Sequence, residues 1–407
     1  MRRTRLTAVL AGGAFVLAAC GSGSGASAPT WEPSPGFGSN GEGPGVQITP
    51  IVPVPSLSPQ GGGTPAPGAS GSTRPSTSST ADPDVVATKL TTPTAVAILP
   101  DNSALVGERT TGRIVRVQPR PDQPVPTVRV LPGLSTAGGG GLLDLALSPS
   151  YGEDNLIYAY ITTPKDNRVV DFTLHGPVTP VLTGIPKGRS DNTGRIAFGA
   201  DGNLYVGTGD AGVAGHASDG RSLAGKVLRV TDIGRPAAGN PNGASPIWTS
   251  GHRVVNGLCA VAQTNGVLEV ETGAAGRPDA VNGLVGGANY GWPHGTGAVH
   301  AAAAALPAQD RAPGGCAVAD STLWVTSLNG TALLAAQLSG GAVTQTVGKF
   351  TEQLRGKYGR LLTVVAAADG ALWLTTSNRD GHGRPVAADE RVIRYVPSSS
   401  TAGRNPA

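Results

Sequence analysis

A β-meander unit recurs six times along this chain, and no other feature restricts its fold as much. The clearest copy runs from Asn192 to Gly212. Ile196 and Phe198 alternate toward one face, Asp201-Gly202 supplies a turn, and Leu204 and Val206 return as a second strand. Asp-Gly favours a two-residue hairpin, because the primed turns need positive φ. Ser222–Val230 reads as a third strand. Comparable openings stand near Thr92, Gly140, Gly194, Gly257, Gly315 and Gly359, at spacings of 48, 54, 63, 58 and 44 residues. Units of this size and type predict an all-β fold, a six-bladed β-propeller of four-stranded antiparallel blades, in which each sheet buries its faces against its neighbours. The segment Asp84–Leu90 precedes the first unit and is expected to pair with the last blade, closing the ring. The Ala-rich run Ala301–Ala305 is expected to make one short turn of helix between blades.

Composition sets the boundaries. Residues 1–19 have a basic start, an apolar stretch from Leu6 to Leu17 and a small-residue cleavage site, Leu17-Ala18-Ala19, which predicts an export signal. Cys20 follows it directly, the pattern of a bacterial lipobox, so Cys20 is expected to carry a lipid that anchors the protein on the outer side of the cell membrane. Residues 20–82 are rich in Gly, Ser, Pro and Thr with few charges, and read as a disordered tether. Residues 83–397 hold the propeller, and 398–407 read as a disordered tail. A formal charge of +4 with no Lys/Arg cluster among aromatics argues against a nucleic-acid partner.

Two cysteines remain, Cys259 and Cys316, at the same place in consecutive units. Innermost strands of consecutive blades are neighbours, so an exported chain is expected to join them as a disulfide. Polar segments stand where innermost strands begin: Asp191–Arg195, Ser250–Arg253, Asn289–Pro293, Ser327–Gly330 and Gly359-Arg360. In a closed ring they converge on one mouth of the axial channel, a natural ligand site. Two roles are open to Arg195, Arg253 and Arg360 there: contact with a ligand, or satisfaction of loop carbonyls between blades.

The order of DNTGRIAFGADGNLYVGTGDAG, SLAGKVLRV, IWTSGHR, Asp279 with Asn282, NYGWP, and YGRL followed by DGALWLTTSN resembles the soluble quinoprotein glucose/sorbosone dehydrogenases. The resemblance covers nearly the whole domain after the tether. It implies a propeller that binds pyrroloquinoline quinone (PQQ) and calcium and oxidises aldoses at the anomeric carbon. It places Asp191 where the family has its catalytic His, beside Arg195, and puts Arg253, Asn256, Asn329 and Arg360 at cofactor positions. Several of these positions differ from the family pattern. Val254, Val255 and Asn256 replace Asn, Pro and Gln, Asn329 replaces a Lys, and Leu362 replaces a second Arg. Glu271, Asp279 and Asn282 persist, while Thr272 and Ala280 stand for a His and an acid. Two functions follow: sugar oxidation with hydride transfer to the quinone, or a catalytically silent propeller that binds a saccharide, a lipid or an envelope protein. In either case the mouth is expected to be net positive and to favour a polyhydroxylated or anionic ligand.

Overall fold

The computed structural model describes residues 82–398 apart from 275, 295–297 and 342–344. The signal, Cys20, the tether and all but the first residue of the tail therefore lie outside the described residues.

Six antiparallel sheets form the described chain, in the order the repeats predict. Their innermost strands are Pro93–Ile98, Leu142–Leu147, Gly194–Phe198, Val255–Val261, Pro313–Ala319 and Leu361–Ala366, here numbered as blades 1 to 6. Each inner strand pairs with the strand that follows it, and the meander continues outward. Blade 5 carries an extra strand, Thr351–Gln353, which pairs with its third strand, Ala332–Ser339. Blade 6 takes its outermost strand from the other end of the domain: Val85–Ala87 pairs with Val392–Tyr395, joining Val85 to Ile393 and Ala87 to Val392. The ring is closed as expected, although the paired strand is shorter than Asp84–Leu90. Beyond it, the N–H groups of Lys89 and Leu90 reach the carbonyls of Ala388 and Glu390.

The core is divided among the six junctions between blades. Ala95 and Leu105 of blade 1 pack with Leu142 and Ile157 of blade 2. Leu143 and Tyr160 of blade 2 pack with Ile196 and Val206 of blade 3, and Tyr205 and Val227 of blade 3 with Val255 and Leu258 of blade 4. Leu268 meets Leu323 between blades 4 and 5, and Leu333 meets Leu372 between blades 5 and 6. Val86 and Trp373 pack with Val96 and Val106 at the last junction. Both faces of each sheet are thus buried, which explains runs more apolar than simple alternation. Gly194 marks how close the blades come, since a Cβ there would lie 2.1 Å from the ring of Tyr160.

Two local expectations are corrected. The Asp201-Gly202 turn is not a two-residue hairpin. Gly199 N–H bonds Asn203 O, and Gly202 N–H bonds Gly199 O with Gly202 at φ 74°. The loop is the three-residue type in which a type I turn ends on a glycine in the left-handed region. Ala301–Ala305 holds no helical turn; Ala304–Ala305 is the outer strand of blade 4, paired with Ala280 and Val281. Two residues at a sheet edge have little intrinsic say, and the partner strand decides. The third strand of blade 3 is Lys226–Val230, with Ser222–Gly225 forming its approach.

The loop-bearing mouth and the axial channel

Antiparallel pairing sends the start of every inner strand and the end of every second strand to one face of the ring. Gly194 pairs with Thr208, Lys226 with Ser250, Pro313 with Ser327, and Leu361 with Thr376. The connections carrying Asp191, Arg253, Asn329 and Arg360 therefore open on that face, and Arg195 and Asn256 are each the second residue of an inner strand.

Asp191 sits at φ 53° and accepts a hydrogen bond from Ser190 Oγ. Its neighbour Asn192 is buried and holds the loop, donating to the carbonyls of Gly138 and Gly188 and accepting from Gly188 N–H and Asn167 Nδ2. Arg195 lies across the channel. Its Nε donates to Asn256 O of blade 4, Nη1 to Leu143 O of blade 2 and Thr94 O of blade 1, and Nη2 to Gly314 O of blade 5. One guanidinium on blade 3 thus satisfies carbonyls of four other blades. Asp144 lies 3.9 Å from it and accepts the N–H groups of Ile196 and Leu145. Burial raises Asp144 to about 6, against the opposing pull of Arg195 and the two amides.

Beyond Arg195 the inner strands of all six blades line a cavity of about 430 Å³ along the axis. Its wall is mostly aliphatic and includes Cys259 and Cys316, which form the expected disulfide at a Cα separation of 5.9 Å.

Arg253 donates to Gly273 O and lies over the Trp292 ring at 5.6 Å. Trp292 Nε1 in turn donates to buried Asp210, whose own N–H bonds Arg253 O. Asn256 Nδ2 donates to Thr272 Oγ1. Arg360 forms a separate group. Its Nε pairs with Asp380 at 2.8 Å and its Nη1 donates to Asn329 Oδ1 at 3.0 Å. Asn329 and Arg360 border a cavity of about 760 Å³ whose wall also holds Lys357, Arg384 and Arg391 and no carboxylate. The structure thus brings Arg195 to the backbone of Asn256, and Arg360 to Asn329. No hydrogen bond or ion pair among the described residues joins Asp191 or Arg253 to the Arg360 group.

The persisting acids have protein partners. Asp279 accepts Gly273 N–H with one oxygen and Ala312 N–H with the other. Glu271 and Asn282 belong to a buried group with His252 and Glu269. Sequence reading missed Glu269, Asp144 and Lys226, and gave His252 no role beyond its place in the polar segment Ser250–Arg253. Glu269 and Glu271 did leave a signal: two acids at i and i+2 in an apolar strand share one face. Lys226, fully buried, donates to the carbonyls of His216, Ala217 and Ala224, and burial lowers it to about 8.

The glucose / sorbosone dehydrogenase family model matches residues 90–385. Among solved structures, the PQQ-bound aldose sugar dehydrogenase of Streptomyces coelicolor is 38% identical with a TM-score of 0.70, over 76% of this chain and 95% of that one. An oxidoreductase (glucose dehydrogenase) of Thermus thermophilus is also 38% identical, with a TM-score of 0.69 over 76% and 98%. Quinoprotein glucose dehydrogenase B of Acinetobacter calcoaceticus is 32% identical over 255 residues, 52% of each chain. The chain spans about half to two thirds of the length of the curated relatives it matches. With its family match extending from the first blade into the last, this chain belongs to the glucose/sorbosone dehydrogenase family.

Proposed function

We propose that the loop-bearing mouth binds an aldose and that the protein oxidises it at the anomeric carbon, with PQQ as the electron acceptor. The observation that carries this reading is the cavity at Arg360. Lys357, Arg360, Arg384, Arg391 and Asn329 line it. Lys357, Arg360 and Arg391 each have a carboxylate partner behind the wall, and the N–H groups left over face a space that a tricarboxylate such as the quinone can enter. The residues fit that group in hydrogen-bond donors and room, since pockets for ligands of this size run to several hundred Å³. Arg360 keeps Nη2 for a ligand, its Nε and Nη1 being held by Asp380 and Asn329. Charge-assisted bonds of this kind contribute about 1.5–3 kcal/mol each. When bound, the quinone supplies the hydride acceptor. Asp191, at the family's base position, takes the proton of the anomeric hydroxyl on its carboxylate. Arg253, held over Trp292, offers its remaining N–H groups to an anionic or polyhydroxylated group. No role is derived for calcium. Asp279 ties two loops together, one oxygen accepting Gly273 N–H and the other Ala312 N–H.

Specific observations also favour the second reading, binding without turnover. Arg195 is committed to four carbonyls, and a carboxylate is a weaker base than the imidazole of the family pattern. One titration separates the two. Full-length protein is titrated with PQQ by calorimetry and then assayed for dye reduction with a panel of aldoses. Sugar oxidation predicts binding that Arg360→Ala weakens roughly tenfold or more, and turnover that Asp191→Asn abolishes while leaving binding nearly intact. Absence of PQQ binding at high micromolar concentration, with saccharide binding retained, leaves the silent propeller. A lipid-anchored, extracytoplasmic location belongs to the same proposal and rests on Cys20 after Leu17-Ala18-Ala19. Cys20→Ala should move the protein from the membrane to the soluble fraction, and an unchanged partition removes the anchor.

A further inference from the structure

One residue before Arg253, the same connection buries a group of side chains that the proposed reaction does not use. His252 Nδ1 lies 3.5 Å from Glu269 Oε2 and 3.5 Å from Glu271 Oε2, with side-chain exposures of 0%, 0% and 12%. One donor atom from each residue lies within 4.8 Å of the others. Among the described residues, His252 Nδ1, Glu269 Oε1 and Glu271 Oε2 are buried without a hydrogen-bond partner. Buried polar atoms are rarely left so, and these three belong to one small group.

The separations fit a shared cation better than a set of hydrogen bonds. An N–H···O bond closes to about 2.7–3.2 Å. Two ligands held tetrahedrally at about 2.1 Å from one metal ion stand about 3.4 Å apart. Rotation of a carboxylate about its terminal torsion, which is soft, brings the wider pair in. The surroundings hold the ligands in place as the outer shell of a metal site does. Thr249 Oγ1 bonds His252 Nε2 at 2.8 Å, so Nδ1 is the ring nitrogen that faces the carboxylates. Asn282 Nδ2 donates to Glu269 Oε2 at 2.7 Å and to Glu271 Oε1 at 3.3 Å. The Tyr290 ring stacks on the imidazole at 4.8 Å and an interplanar angle of 27°. Two carboxylates beside one imidazole in a dry site carry a large desolvation cost, which a divalent cation offsets. The donor set also names the class of ion. Calcium takes oxygen ligands, whereas one imidazole nitrogen with two carboxylates suits zinc and its first-row neighbours.

We propose that His252, Glu269 and Glu271 form a three-ligand site for a divalent cation of the zinc class. The ion ties the connection that carries Arg253 to the second strand of blade 4, so its occupancy sets the position of Arg253 at the mouth. The test uses tag-free full-length protein stripped with chelator and titrated by calorimetry with Zn²⁺, Co²⁺ and Ca²⁺. The expected result is one Zn²⁺ per chain, a visible d–d absorption with Co²⁺ typical of a four-coordinate N/O site, and no heat with Ca²⁺. Glu269→Gln keeps the shape and removes one ligand charge, and should weaken Zn²⁺ by at least the roughly 10–100-fold that loss of an outer-shell partner costs, with the far-UV spectrum unchanged. If that variant does not fold, the wild-type titration decides. Wild-type protein that binds no Zn²⁺, a folded Glu269→Gln variant with unchanged affinity, or preference for Ca²⁺ overturns the proposal.

Discussion

Asp144 and Arg195 show how one pair of side chains can organise a ring. Arg195 gathers carbonyls that face the channel and have no strand partner there, which a propeller centre creates wherever inner strands converge. Asp144 stands beside it as a buried acid. Burial raises its pKa to about 6, above the value of about 3.9 expected of an unfolded chain. Between those values the folded state binds more protons than the unfolded one, so this contribution to stability is full below pH ~4 and is lost as pH rises through about 6. Asp144→Asn has no such titration. The stability of wild type relative to that variant should fall by up to about 3 kcal/mol from pH ~4 to ~7. Paired denaturant melts across that range check it, and a difference that does not vary with pH counts against the assignment.

At the scale of strands, the Cys259–Cys316 bridge staples the inner strands of blades 4 and 5, closing a loop with a sequence separation of 57. On chain-entropy grounds such a loop contributes about 4 kcal/mol through the unfolded state. Cys259→Ala with Cys316→Ala should lower the denaturant midpoint accordingly, and oxidised wild type should resist alkylation until reduced. Free labelling of both thiols in the folded, unreduced protein would be incompatible with the bridge. These strands were legible because each blade opens on small residues before an apolar run. The Gly194 opening coincides with its strand, and the openings near Thr92, Gly140, Gly257, Gly315 and Gly359 lie one or two residues from theirs. Ala304–Ala305 was not legible, since a two-residue outer strand is imposed by its partner. The site was legible only in part. Chain order placed Asp191, Arg253, Asn329 and Arg360 at one end of their strands, and of the two roles left open for Arg195 the structure shows satisfaction of carbonyls between blades, a choice that no side-chain pattern decides. His252 and Glu269 meet only through the pairing of blade 4.

For the molecule as a whole, closure depends on Val85–Ala87, three residues that complete blade 6. Val86 and Ala87 also fill the junction between blades 6 and 1, against Trp373, Val96 and Val106. A chain lacking residues 82–88 should lose its single cooperative transition and bind a dye specific for exposed apolar surface, and a peptide of residues 82–90 added in trans should restore both. A truncated chain that melts at the wild-type temperature would show that the ring holds without its seam. Just before this strand, Asp82 and Asp84 meet Lys357 at 3.2 and 3.1 Å and accept the hydroxyl of Tyr358 at 3.0 and 3.2 Å. That clasp fixes where the leading chain leaves the ring. Any tension delivered through the residues before Asp82 therefore meets the clasp first and the closing strand next, before it reaches any other strand. Under mechanical load the propeller has a defined point of failure, and the ion pairs of Lys357 act as its fuse.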